Sequence, residues 1–346
     1  MKNVRELEVT NKKVLVRCDF DVPLDEQGEM LDDFRIKESL PTIQYLVENK
    51  AMVILMGHLG RPEGVVVESL RLTPIRKKLE EYLQSNVMQL SDCIGPEVDD
   101  AVSSMKPGEI ILLENVRFHK EETENDKAFA KKLASLGNLY VNDAFADSHR
   151  THASIVGICE FLPSVAGLTL QKEVEVLSNV IESPKAPLVV IIGGNKVEGT
   201  KAKLISTFSE SALAVIVGGL IQKEIIENSI PIAHPEKILG PVDSLDAPDI
   251  SENTAAIFRE KILMAKMIVW NGPFGKFEDA RYKKGTLAIA QAIIESGAYS
   301  VVGGGQTVEF LHREGILSKF SAVVTGGGAM LTFLSGEELP GLKALK

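Results

Sequence analysis

VVGGGQTVEF, residues 301–310, holds the fold in ten letters. An apolar run ends in three glycines, and a helix-like stretch starts directly behind them. That is the strand–turn–helix unit of a parallel sheet. Glycines at the turn leave backbone N–H groups bare at the head of a helix, which suits an anion such as phosphate. The first side chain past the glycines is Gln306. It offers a carbonyl oxygen and an amide but no charge, where a site for metal-bound phosphate would offer a carboxylate.

The same unit recurs outward from this stretch. Short apolar runs predict strands at 14–20 (VLVRCDF), 52–57 (MVILMG), 110–115 (IILLEN) and 139–144 (LYVNDA) in the first half. In the second half they fall at 188–194 (LVVIIGG), 214–219 (AVIVGG), 267–272 (MIVWNG), 299–304 (YSVVGG) and 322–327 (AVVTGG). Helical patterns lie between them, among them ESLPTIQYLVENK, TPIRKKLEEYLQ, DKAFAKKLASLG and KKGTLAIAQAIIESG, the last closed by glycine as helices often are. Residues 168–187, LTLQKEVEVLSNVIESPKAP, differ: an uninterrupted amphipathic helix near the midpoint, stopped by two prolines and placed to connect two halves. The expected class is α/β with parallel sheets.

Composition agrees with two soluble lobes. A chain of 346 residues exceeds one ordinary core. The apolar and charged fractions, 45% and 25%, are those of a globular protein. Cys18, Cys93 and Cys159 are far apart, with no CxxC spacing, and predict three small buried hydrophobes in a reducing compartment. The N-terminus has no apolar leader segment, so a cytoplasmic protein is expected, with no membrane contact. A net charge of −10 argues against nucleic acid as a partner. Monomer is the expected state, since no exposed heptad or long apolar face demands another.

In open parallel sheets, ligands bind beyond the carboxyl ends of the strands. In the first half those ends carry Arg17 and Asp19, then His58 and Arg61, then Arg117 and His119, then His149, Arg150 and His152, with Arg35 just after another loop. One arginine in such a place is ordinarily a solvated loop residue, but several at successive strand ends predict a shared anion site, because guanidinium forks bind carboxylate and phosphate bidentately. The second half instead carries GGNK, GGL, NGPFG, GGGQT and TGGGA, which predict a polyphosphate cradle. Neither G-x-x-x-x-G-K-[ST] nor G-x-G-x-x-G occurs, so the P-loop and the dinucleotide fingerprint are absent, and a nicotinamide dehydrogenase is disfavoured. A polyanion site and a nucleotide cradle on two lobes joined by a helix suggest phosphoryl transfer, in which hinge closure positions the groups and excludes water.

RCDFDVPLD, DDFRIKESLPTI, ILMGHLGRPEG, LLENVRFHKEE, YVNDAFADSHRTHAS, GGNKVEGTK, VWNGPFGKFE, KGTLAIA, VVGGGQT and TGGGAMLTFLSGEELPGL occur in this order. Through them the chain resembles the phosphoglycerate kinases from about residue 4 to its end. The resemblance implies two Rossmann-like domains. Residues 1–166 would form the 3-phosphoglycerate domain, 167–186 the connecting helix and linker, 187–330 the nucleotide domain, and 331–346 a tail returning to the first domain. It implies reversible phosphoryl transfer between 1,3-bisphosphoglycerate and ADP, with Mg²⁺ accompanying ADP or ATP and no tightly bound organic cofactor, as in glycolysis and gluconeogenesis. By resemblance Asp19 and Asp21 meet the glycerate portion, and His58, Arg61, Arg117 and Arg150 hold the phosphate that stays. Arg35 and Lys196 attend the transferring phosphoryl, with Gly305 and Gly328 as further catalytic positions. Gly193, Gly194, Gly218 and Gly219 flank the adenine. Lys201, Asn271, Pro273, Glu278, Gly303, Gly304, Gly305, Gln306 and Thr307 complete the nucleotide site, with Glu278 on the ribose.

The chain departs from the family pattern at four places. Asp21 stands where the family has Asn. GGNKVEGTK puts Lys201 one residue late. About 20 residues are missing after VGG (217–219), and a second shortening follows GPVD (240–243). Gln306 replaces the aspartate that ligates Mg²⁺. These departures gather in the nucleotide half. They keep a second reading in view: a paralogue impaired in catalysis that binds a ligand or a protein.

Overall fold

The computed structural model describes residues 1–25, 27–194 and 199–345. Lys196, assigned by resemblance to the transferring phosphoryl group, lies outside them. The chain divides into two compact units, Met1–Val174 with the segment from Glu338 onward, and Glu175–Glu337.

The first unit carries β1 (Lys13–Arg17), β2 (Met52–Met56), β3 (Val87–Gln89), β4 (Ile110–Leu112), β5 (Leu139–Asn142) and β6 (Ser164–Ala166). They form one parallel sheet in the order β3-β4-β2-β1-β5-β6. Val14, Leu15 and Val16 of β1 are fully buried on both faces. A parallel sheet covered by helices on both sides demands such unbroken apolar strands. The second unit carries β7 (Leu188–Ile192), β8 (Ala214–Val217), β9 (Ile238–Leu239), β10 (Met267–Asn271), β11 (Tyr299–Gly303) and β12 (Ala322–Val324). They too are parallel, in the order β12-β11-β10-β7-β8-β9.

All nine strands expected from apolar runs form. The three that were missed, β3, β6 and β9, have two or three residues each and lie at sheet margins. β3 (VMQ) and β6 (SVA) carry a polar residue within three positions and β9 has only two residues, so none offers the unbroken apolar run that marks β4. The Phe34–Glu48 helix starts four residues before the expected ESLPTIQ pattern, and Pro41 sits inside it. The Lys284–Ser296 helix ends as expected, with Gly297 at φ 63°. No helix among the described residues is long and apolar enough to cross a membrane.

Both sheets reverse their winding once, and the reversal places the sites. In the first sheet the chain leaves β1 toward β2 and later returns on the other side as β5. In the second it leaves β7 toward β8 and returns as β10. Loops that follow the two strands flanking a reversal run apart and open a crevice at the carboxyl edge. The loops concerned start at Cys18 and Asp143 in one unit, and at Gly193 and Gly272 in the other.

Candidate active site

The crevice of the first unit is organised by a residue that the sequence reading passed over. Asp147 is 4% exposed. Its carboxylate lies 3.2 Å from Arg17 Nη2, 3.4 Å from Arg117 Nη2, 3.6 Å from Arg150 Nε and 3.4 Å from His58 Nδ1. Burial pushes its pKa up, but His58, Arg17, Arg117 and Arg150 outweigh burial and hold the carboxyl well below the usual range. Asp147 collects the guanidinium groups and leaves donors over. The Nε groups of Arg117 and Arg150 are buried and make no hydrogen bond. Buried donors of this kind are normally satisfied, so an anion seated between these guanidinium groups would complete them. The only sequence signal was an acidic residue three positions before Arg150, which is common in any loop.

Arg17 is a correction to the strand-end reading. It is wholly buried, donates through Nε to Ser154 Oγ at 2.9 Å, and contacts His58 Nδ1 at 3.0 Å. It braces the pocket from below and is not free for a ligand. His119 is a second correction: its Nε2 contacts Asp92 at 2.6 Å, away from the cluster. His152 is buried, and burial followed by the charge of Arg117 lowers its pKa to about 3, so it adds no positive charge. Arg61 follows Gly60 with an exposed side chain that pairs with none of the described residues. Gly60 itself accepts from Arg117 Nη1 at 3.0 Å.

Asp19 and Arg35 form one contact, Nη1 to Oδ1 at 2.9 Å, with the arginine side chain 20% exposed. Asp21, where the family pattern has Asn, accepts from Gly60 N–H at 2.8 Å and lies 3.6 Å from His58 Nε2. Burial opposes its charge, yet His58, the Gly60 amide and Arg35 lower its pKa to about 2. The carboxylate is therefore ionised at neutral pH, with the charge of Arg35 offsetting it.

Asp143 follows β5 and anchors the head of the Leu168–Glu182 helix, where Oδ1 accepts from the backbone N–H of Thr169 at 3.0 Å and of Leu170 at 3.1 Å. Burial raises its pKa to about 7 in spite of these bonds. A folded-state pKa above the ordinary 3.8 means that this group favours folding fully below about pH 4. That contribution is lost as pH rises through about 7. Asp143→Asn keeps the acceptor and removes the titration. The slope of thermal midpoint against pH over this window should flatten in the variant, and an unchanged slope would show that Asp143 does not titrate there.

In the second unit, Gly194, Gly218, Gly219, Pro273, Glu278 and Gln306 line one cleft of about 230 Å³. Most small-molecule sites hold roughly 300–1,000 Å³, so this cleft is smaller than usual. The strand ends approach closely here. Gly193 N–H donates to Asn271 O at 2.8 Å, and a Cβ on Gly193 would stand 2.2 Å from Pro273 O. Only glycine fits at this crossing. Gly303 ends β11, and Gly304, at φ 99°, caps the Gly305–Arg313 helix. The first helical N–H groups, of Gly305, Gln306 and Thr307, precede the first intrahelical bond, which Val308 makes to Gly304 O. The Gly327–Leu334 helix, with Gly328 in its first turn, starts beside it: a Cβ on Gly327 would lie 2.9 Å from Gly304 Cα. Two helix N-termini thus converge, which concentrates positive dipole on one spot.

Three side chains of this unit do work that the sequence did not reveal. Thr307 is buried and its hydroxyl accepts from Gly272 N–H at 2.9 Å, which ties the helix head to the end of β10. Lys201, one residue late in its motif, still brings Nζ to 3.5 Å from Gly193 O at the end of β7. Gln306 Nε2 donates to Glu278 Oε1 at 3.3 Å, joining the position expected at the metal to that expected at the ribose.

A family model for phosphoglycerate kinase matches residues 4–232 and 233–337. The phosphoglycerate kinase of Dictyoglomus turgidum is 42% identical over 390 residues, and that of Moorella thermoacetica 41% over 386; each match covers 99% of this chain and 98% of the relative. These alignments exceed the 346 residues present here, so the relatives carry segments that this chain lacks. Among solved structures, the phosphoglycerate kinase of Pyrococcus horikoshii OT3 is similar with a TM-score of 0.88 at 31% identity, covering 100% of this chain and 98% of that one. The Coxiella burnetii structure gives 0.78 at 34% identity, with 99% and 98% covered. Spanned from end to end by these matches, the chain belongs to the phosphoglycerate kinase family.

Proposed function

We propose that this chain transfers a phosphoryl group reversibly between the acyl phosphate of 1,3-bisphosphoglycerate and ADP, the carboxyl group of 3-phosphoglycerate being the acceptor in reverse. Phosphoglycerate kinase activity is the function of the family; the substrate pose, the residue roles and a monomeric, cytoplasmic enzyme are the proposal. The observation that carries it is the buried Nε of Arg117 and of Arg150, neither of them hydrogen-bonded, on two arginines that pair with Asp147. These donors, with His58 and Arg61, take the phosphate that does not transfer. Asp19 and Asp21 orient the glycerate hydroxyl and carboxyl end. Arg35 lies at the second position of its helix, held by Asp19, and acts on the equatorial oxygens as charge spreads over them.

The glycine cleft takes the nucleotide, with Glu278 on the ribose and the N–H groups of Gly305 and Gly328 on the phosphates. Lys196 is assigned to the transferring group from the family motif alone. The donors at this helix head, the Gln306 amide oxygen and the Glu278 carboxylate, are hard oxygens of the kind that Mg²⁺ accepts. Gln306 would hold the ion together with the nucleotide's own phosphate oxygens. When bound, it neutralises phosphate charge. Gln306→Asp adds a full charge at this place, and the Mg²⁺ concentration giving half-maximal rate should fall. Calorimetric titration of MgADP should show the same shift; no change in either would place Gln306 away from the metal.

A coupled assay with 3-phosphoglycerate and several nucleoside triphosphates over a magnesium series tests the whole reading, with thermal shift as a second readout. Both 3-phosphoglycerate and MgADP should raise the unfolding midpoint. Stabilisation by 3-phosphoglycerate alone, with no effect of millimolar MgADP or MgATP and no turnover, would replace the kinase by a binder. The relatives reported above are phosphoglycerate kinases by name, which does not favour that second reading.

A further inference from the structure

Away from both pockets, three metal-ligating side chains of three kinds meet in the first unit. Asp92 and Cys93 lie in the loop that leaves β3, and His119 closes the Val116–Phe118 turn that leaves β4. β3 and β4 are neighbours in the sheet, so these loops emerge side by side. A carboxylate oxygen, Sγ and an imidazole nitrogen, one from each residue, all lie within 4.8 Å of one another. Among the described residues no other such group of His, Cys, Asp or Glu occurs.

We propose that Asp92, Cys93 and His119 form a binding site for a borderline divalent ion of the zinc type, distinct from the magnesium that accompanies the nucleotide. Bonds of roughly 2.0–2.3 Å place tetrahedral donors roughly 3.3–3.8 Å apart, inside the 4.8 Å within which the three atoms lie here. Asp92 Oδ1 and His119 Nε2 are closer than that, at 2.6 Å, with a proton between them. An incoming ion takes the place of that proton, and the pair opens by about 1 Å. Cys93 is fully buried and forms the floor, whereas the Asp92 and His119 side chains are 48% and 25% exposed and leave an entry and a fourth position for water. The His119 ring is set by packing against Phe129, with centroids 5.2 Å apart. Sulfur and imidazole donors select zinc, cobalt or copper over magnesium and calcium.

The charges and protons balance without any redox partner. The Cys93 S–H bond breaks heterolytically and the sulfur electron pair goes to the metal. The proton shared by Asp92 and His119 also leaves to solvent, and the carboxylate and thiolate neutralise the dication. Without an ion, Cys93 is a protonated buried thiol, raised first by burial and then by the charge of Asp92, and so inert. An ordinary ion pair tying two loops together would account for Asp92 and His119. It does not account for a thiol turned toward both.

Cobalt(II) titration of the full chain tests the site. One ion per chain should bind with the near-ultraviolet thiolate-to-cobalt charge-transfer absorption. Zinc should abolish that band and excess magnesium should leave it intact. Cys93→Ser should eliminate the band while retaining basal magnesium-dependent activity. His119→Gln, at a partly exposed position, should weaken uptake at least about tenfold, the loss seen even for residues that only orient a ligand. Absence of stoichiometric uptake, uptake without the thiolate band, or equal uptake by Cys93→Ser would each overturn the proposal.

Discussion

Arg35→Ala should lower kcat by at least about 100-fold, the usual consequence of removing one donor aimed at transition-state charge, while the KM for 3-phosphoglycerate changes little. The guanidinium already has a partner in Asp19 at 2.9 Å, so its contact with the ground-state ligand is shared. Its contact with the planar, charge-spread phosphoryl is what the variant loses. Asp19 is itself buried, and burial raises its pKa against the lowering by Arg35. The variant therefore also leaves a carboxylate without its counter-charge, and an unfolding curve must accompany the kinetics. Arg35→Lys restores the charge without the fork and should recover part of the rate. Loss of substrate affinity at unchanged kcat would make Arg35 a ground-state binding residue and refute the role given to it.

The second large effect concerns stability. Asp147→Ala should destabilise the first unit by about 3–5 kcal/mol, the range for removing one partner of a buried ion pair. In a unit of this size that is a fall of about 10 °C in midpoint. The cause is Arg17, which has no exposed surface and no other carboxylate within salt-bridge distance among the described residues. Pairing the change with Arg17→Met should recover much of the loss, since it removes the stranded charge as well. The sign with pH follows from the direction of the shift. A depressed carboxyl stabilises the fold above the ordinary carboxylate range and ceases to do so only as pH falls through its folded value. Wild type and variant should therefore differ by a constant amount at neutral pH and converge only in strong acid. A midpoint that barely moves would mean that the cluster is held by something other than Asp147.

Local pattern was enough for the skeleton of this protein. Short apolar runs with turn residues behind them formed strands in all nine expected places, because burial on both faces and a turn at the carboxyl end leave marks on adjacent residues. The contrast between a basic first half and a glycine-rich second half was legible for the same reason: strand ends are contiguous in the chain. Partnership was not legible. Arg17 ends β1 and Arg117 follows β4, yet only sheet order puts β5 beside β1 and brings Asp147 to both, more than a hundred residues from Arg17. His119 was grouped with the anion site by its distance from Arg117 along the chain, and the adjacency of β3 and β4 gives it to Asp92 instead. Gln306 likewise reads as a missing charge until the cleft sets it against Glu278. A side chain's role depends on the field of its neighbours, and those neighbours come from strand order, which no periodicity of 2 or about 3.6 residues encodes.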